Sequence, residues 1–211
     1  MKVAVIFLDY LRHQHTKQAL QSISNAGYPF DLFTIQKKGV AAAINDGLDK
    51  TKDYDAIVTC ANDIAMPNNW LIHMVDYAKG IPNSGMIGIH CVESLPELSY
   101  VNNMPIHKIF TAFGNVMIPR IAIDTIGYFN EQHDPYGMQD ADFAFRLNKS
   151  GFINYYIPDL SSNHIGNDVG EQSDYRRMKD EGLMKAESIY NESCYNYDEH
   201  ENYTIFQRQF I

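Results

Sequence analysis

The chain has 211 residues, of which 45% are hydrophobic and 20% are charged, and its formal net charge is −9. This composition excludes an intrinsically disordered chain, and the length allows one sizeable hydrophobic core. Because 26 acidic residues outnumber 17 basic ones, nucleic acid is not expected as a backbone-binding partner. We expect a single domain over residues 1–211, with a core over about residues 1–166 and a C-terminal helix and tail over 167–211.

Apolar runs alternate with helical patterns along the chain. Continuous apolar or β-branched runs predict strands over residues 3–8, 31–36, 56–60, 85–90, 113–118 and 152–158. Apolar spacing of three and four residues predicts helices over residues 15–26, 40–55, 68–79, 119–126, 139–149 and 173–190. Residues 92–112 contain two prolines and several asparagines, which predict a long irregular surface segment. The alternation favours an α/β fold with a mostly parallel central sheet.

The N-terminal apolar run is too short for a signal peptide, and no segment is long enough for a membrane span. Cys60, Cys91 and Cys194 form no CxxC motif, and the first two lie in apolar runs where cysteine behaves as a small hydrophobic residue. The sequence therefore predicts a cytoplasmic protein without a membrane span.

Acidic residues follow one predicted strand and begin one predicted helix. Ligands of open α/β sheets bind beyond the carboxyl ends of the strands, and Asp63 directly follows the strand over 56–60. A carboxylate there can bind Mg²⁺ or Mn²⁺, or Asn62 and Asp63 can simply form a turn or cap the next helix. Asp140 and Asp142 begin the helix over 139–149, where the helix dipole favours acids, so one of them is expected to be only a cap.

Five stretches resemble, in the correct order, those of a GT-A glycosyltransferase of the family 2 type. They are GVAAAINDGL, CANDIAMPNNWL, FGNVMIPRIAIDTIGYFNE, YGMQDADFAFRLNKSG and the late histidine in SNHIG. The resemblance runs from residue 3 to about residue 166. It implies a GT-A type sandwich and transfer of a sugar from a nucleotide-diphosphate sugar donor to the hydroxyl of an unknown acceptor.

The resemblance also implies roles for individual residues. Asp140 matches the general base of an inverting, metal-dependent reaction, and Asp63 and His164 match ligands of a divalent ion, Mn²⁺ or Mg²⁺. The remaining matches are Asp9, Asn45 and Asn62, with Asp63, on the donor side, and Gly114, Asn115 and Gln139 on the acceptor side.

Three departures from the family pattern keep a second function class open. The first acid of the metal-binding DxD motif is Ala61, the glutamate before the base is Gln139, and the acidic turn after the second strand is replaced by IQKKG. A catalytically silent nucleotide- or carbohydrate-binding protein on the same fold is therefore the alternative. A nucleotidyltransferase is disfavoured because FLDYLRHQH has no glycine-rich, basic phosphate loop.

Other polar and aromatic residues have weaker functional signals. Arg12, Lys37 and Lys38 lie near predicted strand ends, where they could meet a diphosphate or simply be solvated. Histidines other than His164 show no paired metal spacing. Trp70 is expected in the core, and Tyr100, Tyr136, Tyr155 and Tyr156 could stack on a sugar or a nucleobase, although packing is the expected role of most of them.

Overall fold

A computed structural model describes residues 1–91, 94–112, 114–166 and 173–208. Its strands are β1 (Val3–Leu8), β2 (Asp31–Ile35), β3 (Ala56–Ala61), β4 (Ile64–Ala65), β5 (Ser84–His90), β6 (Leu98–Val101), β7 (Met104–Ile109), β8 (Val116–Pro119), β9 (Ile153–Ser161) and β10 (Asn163–His164). Its helices are α1 (His13–Ile23), α2 (Val40–Lys50), α3 (Trp70–Gly80), α4 (Arg120–Ile126), α5 (Gln139–Lys149) and α6 (Asp174–Glu199), with a 3-10 turn at Glu131–His133.

The described strands form a large central sheet in the order β2-β1-β3-β8-β5-β9-β7-β6. Within it, β1 pairs in parallel with β2 and β3, and β5 pairs in parallel with β9. Only β7 and β8 run against the common direction among the described strands of this sheet. The predicted α/β architecture with a mostly parallel sheet is confirmed.

The central strands are buried on both faces, as their continuous apolar sequences predict. Val5 of β1 belongs to the hydrophobic cluster on the side of α1 and α3, where Trp70 is fully buried. Ile6 belongs to the opposite cluster, which contains residues of α2, α4 and α5. Alternate residues of one strand therefore pack in separate halves of the core, which is the layer pattern of an α/β sandwich.

The prediction of an irregular segment over residues 92–112 is wrong for residues 98–109, which form the hairpin of β6 and β7 at the sheet edge. Residues 92 and 93 lie outside the described residues. Asn102 and Asn103 have φ angles of 49° and 62°, and asparagine tolerates the left-handed conformation that a two-residue hairpin turn needs. The prediction fails because it treats the prolines as a sign of irregular structure, whereas Pro105 lies within β7, opposite Tyr100.

Several boundaries also differ from the predictions. Helix α2 ends at Lys50 rather than at residue 55, and the Oγ1 atom of Thr51 donates to the carbonyl of Gly47 at 2.9 Å at that end. Helix α6 continues to Glu199 rather than to residue 190, because its aromatic residues Tyr190 and Tyr197 pack on Phe145 of α5. The longest described helix is thus polar and aromatic, and no helix in the described ranges is both long and apolar enough to cross a membrane.

Candidate active site

The carboxyl ends of the sheet strands open into a cavity of about 360 Å³. Side chains that follow β1, β2, β3, β5 and β9 line it, together with the start of α5 and the first turns of α6. Because the strands share a direction, their polar ends meet at one edge of the sheet. The predicted site residues that line the cavity are Asn62, Asp63, Gly114, Gln139, Asp140 and His164.

Asp63 lies just beyond β3 and is nearly buried, with a side chain 8% exposed. Its Oδ2 atom accepts a hydrogen bond from Nη1 of Arg12 at 2.7 Å. The Arg12 side chain is 2% exposed, so the ion pair lies inside the protein. The guanidinium of Arg12 therefore provides a local positive charge against the carboxylate of Asp63.

His164 reaches Asp63 because two short strands pair. Strand β10 runs antiparallel to β4, which places His164 opposite Ile64, the residue after Asp63. The Nε2 atom of His164 lies 3.6 Å from Oδ2 of Asp63. The tertiary structure therefore brings together two residues that are 101 positions apart in the sequence.

Asp140 lies in the first turn of α5 and faces the cavity. The backbone N–H of Ala141 donates to its Oδ1 atom at 3.2 Å. Burial raises the pKa of Asp140 to about 6, although backbone N–H groups and the charge of His133 act in the opposite direction. A carboxylate with this pKa is mostly ionised at pH 7 and is a stronger base than an ordinary aspartate.

Asp142, the other acid at the start of α5, points into the protein rather than the cavity. Its Oδ1 atom accepts from Nε of Arg146 at 2.9 Å, and its Oδ2 atom lies 3.3 Å from Nε2 of His133. The hydroxyl of Tyr197 on α6 also donates to Oδ2 at 3.1 Å. Burial opposes ionisation, but bonds to His133 and Arg146 hold the pKa of Asp142 below its usual range. The two acids of this helix thus have different roles.

Asp9 lies behind the cavity lining and supports it indirectly. Its Oδ1 atom accepts from Thr16 at 2.6 Å and from Asn62 at 3.0 Å, and its Oδ2 atom accepts from Gln36 at 3.0 Å. Burial raises the pKa of Asp9, but these hydrogen bonds outweigh it and lower the value overall. Asn62, which lines the cavity, also donates to the carbonyl of Leu11 at 2.8 Å. Asp9 and Leu11 together therefore fix the side chain of Asn62.

Asn45 and Asn115 are buried and bonded to the protein itself rather than lining the cavity. The Nδ2 atom of Asn45 donates to the carbonyl of Phe129 at 2.9 Å, and its Oδ1 atom accepts from the N–H of Phe129 at 2.9 Å. The Oδ1 atom of Asn115 accepts from the N–H of Ala61 at 3.1 Å. These contacts position the loops around the cavity.

Helix α6 contributes the side chains that the sequence analysis missed, namely Tyr175, Met178 and Lys179. Lys179 lies over the ring of Tyr136, with Nζ 5.1 Å from its centroid. Burial raises the pKa of Tyr136, Lys179 lowers it, and the charges of Asp140 and Asp63 both raise it. Tyr136 therefore lies within electrostatic range of both acids. The sequence signal for this contact is Gly182 and Ala186, two small residues one turn apart on α6.

Gly182 lets α6 approach the loop before α5, because a Cβ atom there would clash with the carbonyl oxygen of Tyr136. We expect Gly182→Ala to lower the free energy of unfolding by about 1–3 kcal/mol through this overpacking. Helix propensity alone would make Gly182→Ala more stable by about 1 kcal/mol, because alanine favours a helix over glycine. A net loss of unfolding free energy therefore shows that the clash is present. Urea denaturation measures it, with exposed Glu181→Ala as the control. A more stable Gly182→Ala chain would contradict the close packing.

Comparisons with known proteins identify the fold. No family model and no curated protein sequence matches the chain. S. aureus TarS matches with a TM-score of 0.62 and 12% identity, over 79% of this chain and 37% of TarS. The catalytic domain of Drosophila beta1,4galactosyltransferase 7, in complex with xylobiose, matches with a TM-score of 0.60 and 17% identity, over 83% and 77% of the two chains. The chain has a GT-A-like glycosyltransferase fold.

A third structure with this GT-A-like fold is the mannosyltransferase PcManGT from Pyrobaculum calidifontis, in complex with GDP-Man and Mn²⁺. It matches with a TM-score of 0.61 and 15% identity, over 80% of this chain and 58% of PcManGT. The chain thus spans well under two thirds of TarS and of PcManGT. At these identities the comparisons show the fold alone.

The residues expected to hold a divalent ion in this GT-A-like fold are a poor fit for one. Ala61 has no carboxylate, and the Oδ2 atom of Asp63 is already bonded to a guanidinium. Within the described residues, no group of three or more His, Cys, Asp or Glu side chains could hold a metal ion. Two donors, Asp63 and His164, remain, and Arg12 shares the oxygen that lies nearest to His164.

Proposed function

We propose that the chain is a glycosyltransferase that moves a sugar from a nucleotide-diphosphate sugar to an acceptor hydroxyl, with inversion and with Asp140 as general base. One observation carries this proposal. Asp140, a carboxylate whose pKa is raised to about 6, lines the strand-end cavity of a GT-A-like fold. The related structures support the donor class, since TarS was solved in complex with UDP and with UDP-GlcNAc and PcManGT with GDP-Man.

The reaction needs one base on the acceptor side of the sugar. Asp140 takes the proton of the acceptor hydroxyl while the oxygen forms a bond to the anomeric carbon. The bond from that carbon to the diphosphate oxygen breaks, and its electron pair leaves with the nucleoside diphosphate. A single in-line displacement inverts the anomeric centre, and general base catalysis by a carboxylate of raised pKa suits this step.

The other cavity residues have positioning roles in this proposal. Gln139 accepts a hydrogen bond from the N–H of Gly137 at 2.9 Å, which fixes the turn that presents Asp140. Gly114 has a φ of 73° and lines the cavity without a side chain, leaving space for the acceptor. Asn62 and Asp63 lie on the donor side. Asp9, Asn45 and Asn115 act on the site indirectly, through the hydrogen bonds described above.

A nucleotide-release assay tests the proposal. The purified chain is incubated with UDP- and GDP-sugars and with acceptors of several classes, including glycans, lipid-linked sugars, proteins and modified nucleobases. We expect release of UDP or GDP from one donor, dependent on an acceptor. Binding of a nucleotide without turnover of any donor would instead support the silent binding protein suggested by Ala61 and Gln139.

The pH dependence of the same reaction follows from Asp140. Its pKa is raised to about 6 by burial, so below pH 6 the carboxylate is protonated and cannot accept the hydroxyl proton. We expect kcat/KM to fall about tenfold per pH unit below pH 6 and to be nearly level from pH 7 to 8. Initial rates between pH 5 and 8 check this, and a level profile down to pH 5 would exclude Asp140 as the base.

We propose a reducing compartment such as the cytoplasm for the chain. Cys60, Cys91 and Cys194 are all described, and all three are free thiols. Cys60 is fully buried, which raises the pKa of its thiol and makes it unreactive. Free cysteines are typical of proteins in reducing surroundings.

A further inference from the structure

Arg12 is held next to Asp63 by an unusual backbone segment. Leu11 and Arg12 have φ angles of 55° and 51°, so two successive residues with side chains adopt the left-handed conformation. This conformation is unfavourable for such residues and persists only where the surrounding structure holds it. Its effect is to turn Arg12 inward, where Nη1 lies 2.7 Å from Oδ2 of Asp63.

Two other elements close around the Arg12 guanidinium. A Cβ atom at Gly166, two residues after His164, would clash with Nη1 of Arg12, so the loop after β10 passes directly against the guanidinium. The ring of Tyr175 of α6 also packs against the guanidinium, with its centroid 4.5 Å from Cζ of Arg12. Three separate parts of the chain therefore build a dedicated site for this cation beside Asp63.

A divalent ion at Asp63 would have to compete with this cation. The Nη1 atom of Arg12 already bonds the Oδ2 atom of Asp63, and the positive guanidinium repels a divalent ion from this oxygen. Ala61, at the position of the first DxD acid, supplies no second carboxylate. The charge of the donor diphosphate must then be balanced by side chains, and the lysines that line the cavity are Lys37 and Lys179.

We infer that the nucleotide-sugar donor is bound without a divalent ion, because Arg12 holds Asp63 as a positioning residue and Lys179 of α6 supplies positive charge to the diphosphate. Lys179 lines the cavity from α6, with its Nζ atom 5.1 Å from the ring centroid of Tyr136, and Lys37 lines it from the loop after β2, where it pairs with Asp46 at 2.9 Å. This inference rests on the proposed function and adds the way in which the leaving group is stabilised.

Calorimetry with UDP and GDP tests the inference on the full chain. We expect one of them to bind with a Kd that changes by less than about threefold between 1 mM Mn²⁺ and excess EDTA. Binding that strengthens about tenfold or more with Mn²⁺ would overturn the inference and leave the proposed function standing. If neither nucleotide binds in either condition, the proposed function fails, and the inference fails with it.

A double variant separates a positioning pair from a metal ligand. Arg12→Gln with Asp63→Asn keeps a hydrogen-bonded neutral pair and avoids an unpaired buried charge. We expect the addition of Mn²⁺ to change the nucleotide Kd of this double variant by less than about threefold, as in the parent chain. A Kd that tightens about tenfold with Mn²⁺ in the parent chain but not in the double variant would show that Asp63 is a metal ligand. Electron paramagnetic resonance of added Mn²⁺ is the second readout, and bound Mn²⁺ that disappears in the double variant would likewise overturn the inference.

Lys179→Met tests the cationic role, with Lys185→Met, an exposed lysine on the same helix, as the matched control. Loss of a charge-assisted contact to phosphate weakens binding by about 10-fold to 100-fold. We expect this loss for UDP or GDP with Lys179→Met and no change with Lys185→Met. If Lys179→Met weakens binding of the corresponding nucleoside less than binding of the nucleoside diphosphate, the contact of Lys179 lies at the phosphates. Equal affinities of both variants for the diphosphate would overturn the assignment of Lys179.

Discussion

Asp140→Asn is expected to lower kcat for sugar transfer by about 100-fold to 10,000-fold, the range by which a positioned general base accelerates a reaction. Asparagine has nearly the same shape as aspartate but cannot accept the acceptor's proton. Nucleotide affinity should be unchanged, because Asp140 acts on the acceptor side in this proposal. Calorimetry with UDP or GDP and the nucleotide-release assay measure the two quantities separately.

The same variant is expected to be more stable than the parent chain at neutral pH. Burial raises the pKa of Asp140 from 3.8 to about 6, so the folded state favours the protonated form. Stability from this group is greatest below pH 3.8 and is lost as the pH rises to about 6. At pH 7 the ionised carboxylate therefore destabilises the fold, and the neutral amide removes that effect. Thermal unfolding at pH 7 should show a higher Tm for Asp140→Asn.

Asp76→Asn is the matched control, because Asp76 is an exposed acid on α3 that does not line the cavity. It should change neither kcat nor Tm. The combination of lost activity with raised stability identifies Asp140 as a functional acid rather than a structural one. An Asp140→Asn chain that keeps full activity would refute its assignment as the base.

Arg146→Met is expected to have the largest effect on stability. Arg146 is fully buried and donates to Asp142 at 2.9 Å, to the carbonyl of Ile126 at 3.0 Å and to the carbonyl of Tyr128 at 2.8 Å. Removing the guanidinium leaves Asp142 as a buried, poorly compensated charge. Breaking such a pair costs about 3–5 kcal/mol of unfolding free energy, measured by urea denaturation.

Two further variants test the reason for that loss. Lys52→Met removes a cation whose side chain is 69% exposed and should change stability by no more than about 0.5 kcal/mol. Arg146→Met combined with Asp142→Leu removes both buried charges and should recover part of the loss. If the double variant were as unstable as the sum of the single variants, the ion pair would not be the cause.

Short-range patterns in the sequence determined the layers of the fold. The run of apolar residues in β1 required burial on both faces, and Val5 and Ile6 do lie in opposite halves of the core. The hairpin of β6 and β7 was missed because Pro105 argued against a strand, while the Asn102–Asn103 turn that makes the hairpin was read as irregular. The GT-A-like fold itself was predicted from motif order, since five stretches matched in sequence.

The tertiary structure alone decided which of the predicted polar residues line the cavity. The strand end marked Asp63, the helix start marked Asp140 and the family resemblance marked His164, and all three line one cavity. The sequence could not show that Asn45 bonds to Phe129, since such pairing depends on how α2 packs against a distant loop. Nor could it show that Arg12 turns inward to Asp63 or that α6 brings Lys179 over Tyr136. Local sequence encodes burial and helix or strand periodicity, whereas charge pairing between remote segments exists only once the sheet and helices have packed.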